Sequence, residues 1–146
     1  IMWLLLMFPE QDIDDALVKE YNQRLRSEAE HIRDFIVLHY RLNARHGEPF
    51  WDYLRTMPIP DSLAQRMALF ENSGRVFKPQ DDVFSENSWV QVMLGQGLKP
   101  KGYHNIADAM SSQQLSAYLA STAEQVAKKL QTMPKHDEFV KRYSAL

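Results

Sequence analysis

DDALVKEYNQRLRSEAEHIRDFIVLHYRL, residues 14–42, decides the fold. Leu17, Tyr21, Leu25, Ala29, Ile32, Phe35, Ile36, His39 and Tyr40 recur at intervals of three and four, which gathers them on one stripe of an α-helix. Lys19, Glu20, Gln23, Arg24, Arg26, Ser27, Glu30 and Arg33 take the opposite face. Asp12 or Asp14 caps the start, where a side-chain oxygen satisfies an orphan amide and negative charge complements the helix dipole. A helix over 14–42, stripe turned inward, is the expectation.

Upstream, Phe8-Pro9 stops an apolar run over residues 1–8, because the residue before proline is pushed out of the α region. Eight residues fall far short of the roughly 18–20 that span a bilayer. No basic flank or small-residue cleavage site marks a signal peptide. The run reads as the last turns of a buried helix, and the chain as a piece of a longer protein. Its uncovered apolar residues predict self-association.

Downstream, Pro49 opens a short helix carrying Phe50, Trp51, Leu54 and Met57, with Phe50-Trp51 as a core anchor. Asp61 or Ser62 caps a further helix with Leu63, Met67, Leu69 and Phe70, closed by Asn72-Ser73-Gly74 in a left-handed stop. A polar loop is expected over 78–82 and a helix over 83–94, ending in Gly95-Gln96-Gly97. A last long helix starts near Ser111 or Ser112, has Leu115, Leu119, Ala123, Val126, Leu130 and Met133 in phase, and ends at Pro134. A helical turn or two follows over 137–143. No stretch alternates with period two for long enough to be a strand, so the fold class is all-α.

Composition narrows the function. With 17 Lys+Arg against 19 Asp+Glu the net charge is −2, which gives no basic surplus for a phosphate backbone and argues against nucleic acid. The absence of Cys excludes a disulfide scaffold, a thiolate zinc site and a Cys nucleophile, and fits a cytoplasmic location. None of the 5 Gly forms a phosphate-cradling loop. His39 reads two ways: a polar group lining a pocket, or a core histidine hydrogen-bonded to a carbonyl. His31, His46, His104 and His136 lack metal-ligand spacing. Ser85-Glu86-Asn87-Ser88-Trp89 sets a carboxylate, an amide, hydroxyls and an indole at a helix start, where capping needs only one of them.

Three stretches in this order resemble the C-terminal part of flavin-dependent tryptophan halogenases: Arg33-Asp34-Phe35-Ile36-Val37-Leu38-His39-Tyr40, then Pro49-Phe50-Trp51, then Glu86-Asn87-Ser88-Trp89 through Gly95-Gln96-Gly97. Leu6-Met7-Phe8-Pro9 is similar to the family's Leu-Phe-Pro segment. The resemblance implies that residues 1–146 are an irregular helical subdomain, the C-terminal region of a larger two-domain flavin-dependent monooxygenase-like fold. It implies an enzyme that uses reduced FAD, dioxygen and halide to make hypohalous acid, which passes down a tunnel to an aromatic substrate. A flavin reductase supplies the reduced FAD. The FAD loop, and the lysine and glutamate that deliver the halogen, belong upstream of Ile1, so this chain holds no catalytic residue and no cofactor-binding residue. The resemblance places His39 in the active-site lining, with Phe84, Glu86, Asn87, Ser88 and Trp89 as the other substrate-pocket residues.

Tryptophan-specific members carry an aromatic insert, with Tyr-Tyr and Phe-Trp pairs, ahead of the stretch matching residues 86–89. Here residues 75–83 are short and polar. The expected substrate is therefore an indole-like or other electron-rich aromatic. The rival expectation is a free-standing helical interaction module that binds a partner through an exposed apolar stripe.

Overall fold

In a computed structural model, which describes residues 2–10, 12–79 and 82–144, the Asp14 carboxylate accepts the Ala16 amide at 2.6 Å and starts the long helix. The elements are α1 (Met2–Leu6), α2 (Asp15–Arg41), α3 (Pro49–Thr56), α4 (Asp61–Ser73), α5 (Glu86–Gly95), a 3-10 turn (Asn105–Ala109), α6 (Ser112–Thr132) and α7 (His136–Tyr143). No strand occurs among the described residues, as the all-α reading requires. Ile1 of the opening run, and Gln80 and Asp81 of the loop expected over 78–82, lie outside the described residues. The chain divides into two units, residues 1–104 and 105–146.

In the first unit, the inward stripe of α2 is only partly realised. Leu17, Ile36 and Tyr40 are exposed, while Asp34 and Leu38 are the buried positions. The reason is length: 27 residues make a helix of about 40 Å, longer than the faces that α1, α3, α4 and α5 pack against it. Core residues Leu38, Leu63, Phe70, Val76, Trp89 and Met93 are buried together, with Phe35, Met67, Phe84 and Val90 packed around them. Removing such a side chain costs transfer energy plus a cavity, so Leu63→Ala is expected to lower stability by about 2–5 kcal/mol in urea unfolding.

The start of α4 departs from expectation. Pro60 is its N-cap, with no side-chain capping bond, and Ser62 does not cap; its hydroxyl donates to Asp34, which Arg33 also grips through two nitrogens. A buried carboxylate needs donors more than a helix end needs a cap. At the other end the left-handed stop is as expected, with Gly74 at φ 66°. There the loop at residues 100–102 closes over the helix: the Lys101 amide donates to Glu71 O at 2.6 Å, and a Cβ on Gly102 would lie 2.4 Å from Asn72 O. Gly102→Ala should therefore detach this loop, seen as faster hydrogen exchange at the Lys101 amide.

The expected helix over 83–94 begins later, because the Ser85 hydroxyl accepts the Ser88 amide and sets the N-cap there. In the second unit, Ser111 and Gln114 form a reciprocal capping box for α6. The apolar positions are in phase as expected, yet every described residue of this unit is exposed, Leu119, Val126 and Leu130 included. Two helices without a third layer cannot enclose a core. No helix among the described residues is long and apolar enough to cross a membrane.

Candidate functional site

The last two turns of α2 carry Phe35 and His39, four residues apart and so on one face. His39 is half-buried, and its Nδ1 sits 2.7 Å from the Phe35 carbonyl, with the two rings edge-to-face at 4.8 Å. One ring nitrogen is thus bonded to a carbonyl, as in a core histidine, and the other makes no hydrogen bond among the described residues.

Phe35 is the hub. Phe84 stacks on it at 3.9 Å, and Trp89 meets it edge-on at 4.8 Å. Such aromatic contacts add about 0.5–1.5 kcal/mol each to the area they bury. His39, Phe84 and Trp89 are therefore gathered around one ring. Trp89 itself lies in the core with no exposed surface.

Behind this array stands Asp82, whose side chain is fully buried. Its Oδ1 accepts the Phe84 amide at 3.0 Å, and its Oδ2 accepts the Trp89 indole at 3.1 Å and the Arg66 guanidinium at 2.8 Å. Arg66 in turn lies 3.9 Å over the Trp89 ring. One carboxylate so fixes the backbone of Phe84 and the ring plane of Trp89.

The other expected residues fall elsewhere. Glu86 and Asn87 are exposed and line an open cleft of about 260 Å³ with Arg75, Phe77 and Val90. Glu86 also accepts the Lys78 amide at 3.3 Å. Ser88 pairs its hydroxyl with that of Ser85 at 2.9 Å. The cluster at residues 85–89 thus combines a cap, a loop tie, a hydroxyl pair and a core indole. Asn87 alone among these polar side chains makes no internal hydrogen bond among the described residues.

Phe50 is not the core anchor expected, being 59% exposed. Trp51 is half-buried and carries the Arg45 guanidinium at 4.4 Å over its ring. Asp52 in the same helix is held below the usual carboxylate range, first by its hydrogen bond to Arg55, which burial opposes and the Arg55 charge, the Gly47 amide and His46 reinforce. A lowered folded-state pKa means that this contribution is present above the ordinary carboxylate range and is lost as pH falls through the lowered value. The Gly47 amide, 3.2 Å from Asp52, should report that midpoint as a chemical-shift titration below the value of a free aspartate.

Among the described residues no group of three or more His, Asp or Glu side chains could hold a metal ion. Nor do these residues fit FAD. No strand-turn-helix cradle occurs among the described residues, and Gly95-Gln96-Gly97 leaves α5 at its C-terminal, negative end, where a pyrophosphate would be repelled.

Sequence reasoning missed Phe35 as a hub and Asp82 as an anchor. Phe35 was visible only as one stripe position, and Asp82 lay in a loop read as polar; nothing in either neighbourhood marks a partner several turns away.

Residues 1–112 match the tryptophan halogenase family, and the chain belongs to it. Among solved structures it is similar to Xcc4156, a flavin-dependent halogenase from Xanthomonas campestris, at 46% identity and a TM-score of 0.89, covering 97% of this chain and 29% of that one. BrvH, a flavin-dependent halogenase from Brevundimonas sp. BAL3, is 31% identical with a TM-score of 0.87, over 96% of this chain and 28% of its own. The 7-chloro-L-tryptophan 6-halogenase KtzR from Kutzneria sp. (strain 744) is 26% identical over 95% of this chain and 28% of its own length. The chain thus spans under a third of the relatives it matches, and corresponds to their C-terminal portion.

Proposed function

We propose that this chain is the substrate-side region of a flavin-dependent halogenase acting on an indole-like or other electron-rich aromatic. The enzyme takes reduced FAD from a flavin reductase, with dioxygen and halide as co-substrates, and works in the cytoplasm. The flavin supplies the oxidising chemistry and is held outside this chain, as are the residues that deliver the halogen. Residues 1–146 form the C-terminal helical region, and His39 and Phe84 face the substrate, with Trp89 behind them and Glu86, Asn87 and Ser88 on the neighbouring first turn of α5.

The observation that carries this reading is the His39–Phe35–Phe84 array. It joins a hydrogen-bonding ring nitrogen to stacked aromatic surface at one end of α2. An aromatic substrate needs both, an apolar wall and a few placed polar groups.

The test uses the full-length enzyme that carries this chain, a flavin reductase, FAD and chloride or bromide. Halogenated indole that forms only with reductant, oxygen and halide supports the proposal; flavin oxidation with no halogenated aromatic from a panel of indoles, pyrroles and phenols would refute it. The isolated chain should halogenate nothing and should show no saturable FAD binding by calorimetry at micromolar concentration. It should also self-associate, since Met2, Leu5, Leu6, Phe8 and Ile13 are all more than half exposed.

A further inference from the structure

We infer that His39 selects substrates bearing a ring N–H, by accepting that hydrogen on Nε2. The inference rests on the halogenase reading above and adds the role of one residue to it. A carbonyl oxygen only accepts, so the 2.7 Å contact with Phe35 O puts the hydrogen on Nδ1. In the neutral ring this leaves a lone pair on Nε2. Nε2 is not among the buried polar atoms that lack a partner, and it makes no hydrogen bond to the described residues. It is an acceptor without a partner among the described residues.

The ring is also held in place. Phe35 meets it edge-on at 80°, Phe84 and Trp89 brace Phe35, and Asp82 fixes both of those. An acceptor on a braced ring costs little reorganisation when it binds. The ring packed against it is the aromatic Phe35, so the donor that fits is one carried on an aromatic ring, as in indole or pyrrole.

Indole and 1-methylindole separate this role from wall contact, since the methyl group removes the donor and keeps the ring. In the full-length enzyme, indole should be preferred in kcat/KM, and His39→Phe should shrink that preference by roughly tenfold, the worth of one hydrogen bond in a dry site. The loss should be larger on indole than on 1-methylindole. His39→Gln, whose amide oxygen still accepts, should restore part of the preference. A preference unchanged in His39→Phe would overturn the proposal while leaving the halogenase reading intact. Failure to halogenate any aromatic would overturn both. Independently of any variant, long-range 1H–15N spectra of the histidine-labelled wild-type enzyme should show the hydrogen of neutral His39 on Nδ1; finding it on Nε2 would also overturn the proposal.

Discussion

Offered indole and free tryptophan together, the full-length enzyme is expected to favour indole by roughly tenfold or more in kcat/KM. Tryptophan brings an ammonium and a carboxylate, and a site that buries either without a partner loses several kcal/mol of desolvation. Three charged side chains of this region, Arg75, Glu86 and Arg66, are already engaged. Arg75 lies 4.8 Å over the Phe77 ring, Glu86 accepts the Lys78 amide, and Arg66 is paired with Asp82. Residues 75–79 and 82–83 hold one aromatic ring, Phe77, so they offer no aromatic clamp like the insert described for the tryptophan-specific members. Without a clamp, positioning rests on ring contacts, and a loosely placed substrate reacts slowly. Turnover on indole should therefore be low even where selectivity favours it. Competition with both substrates in one vessel, read by chromatography of the halogenated products, decides the point; a preference for tryptophan would mean that the clamp is supplied from outside this chain.

Asp82→Ala is expected to cost about 3–5 kcal/mol. Removing one partner of a buried ion pair strands the other, here Arg66, whose side chain is only 12% exposed. The same change leaves the Trp89 indole N–H buried without an acceptor and frees the Phe84 amide. Asp82→Asn keeps an oxygen for one of those donors and should fall between. Urea unfolding followed by tryptophan fluorescence measures both. If Asp82→Ala unfolds at the wild-type midpoint, the buried network contributes nothing and Phe84 is held by stacking alone. The variant also links stability to the site, since loss of the Phe84 anchor should loosen the Phe35–Phe84 stack and with it the edge contact that orients His39.

The sequence by itself determined the helices. Periodicity of three and four marked α2 to within a residue at each end, the caps were narrowed to Asp12 or Asp14 and to Ser111 or Ser112, and Pro49 and Gly74 fixed a start and a stop, because each of these signals acts within one or two turns of the chain. It also carried the family, through short motifs in a fixed order. What it could not carry was which side of each helix meets a partner. Ser62 had the chemistry of a cap and serves a carboxylate 28 residues earlier; Phe50 had the chemistry of an anchor and is exposed. Asp82 looked like loop and is the most heavily bonded side chain behind the site. These outcomes depend on which segments distant in sequence come together, and burial then decides the rest: a buried carboxylate must collect donors, and the residues it collects set the positions of Phe84 and Trp89 around Phe35. Only the tertiary structure brings those partners within reach.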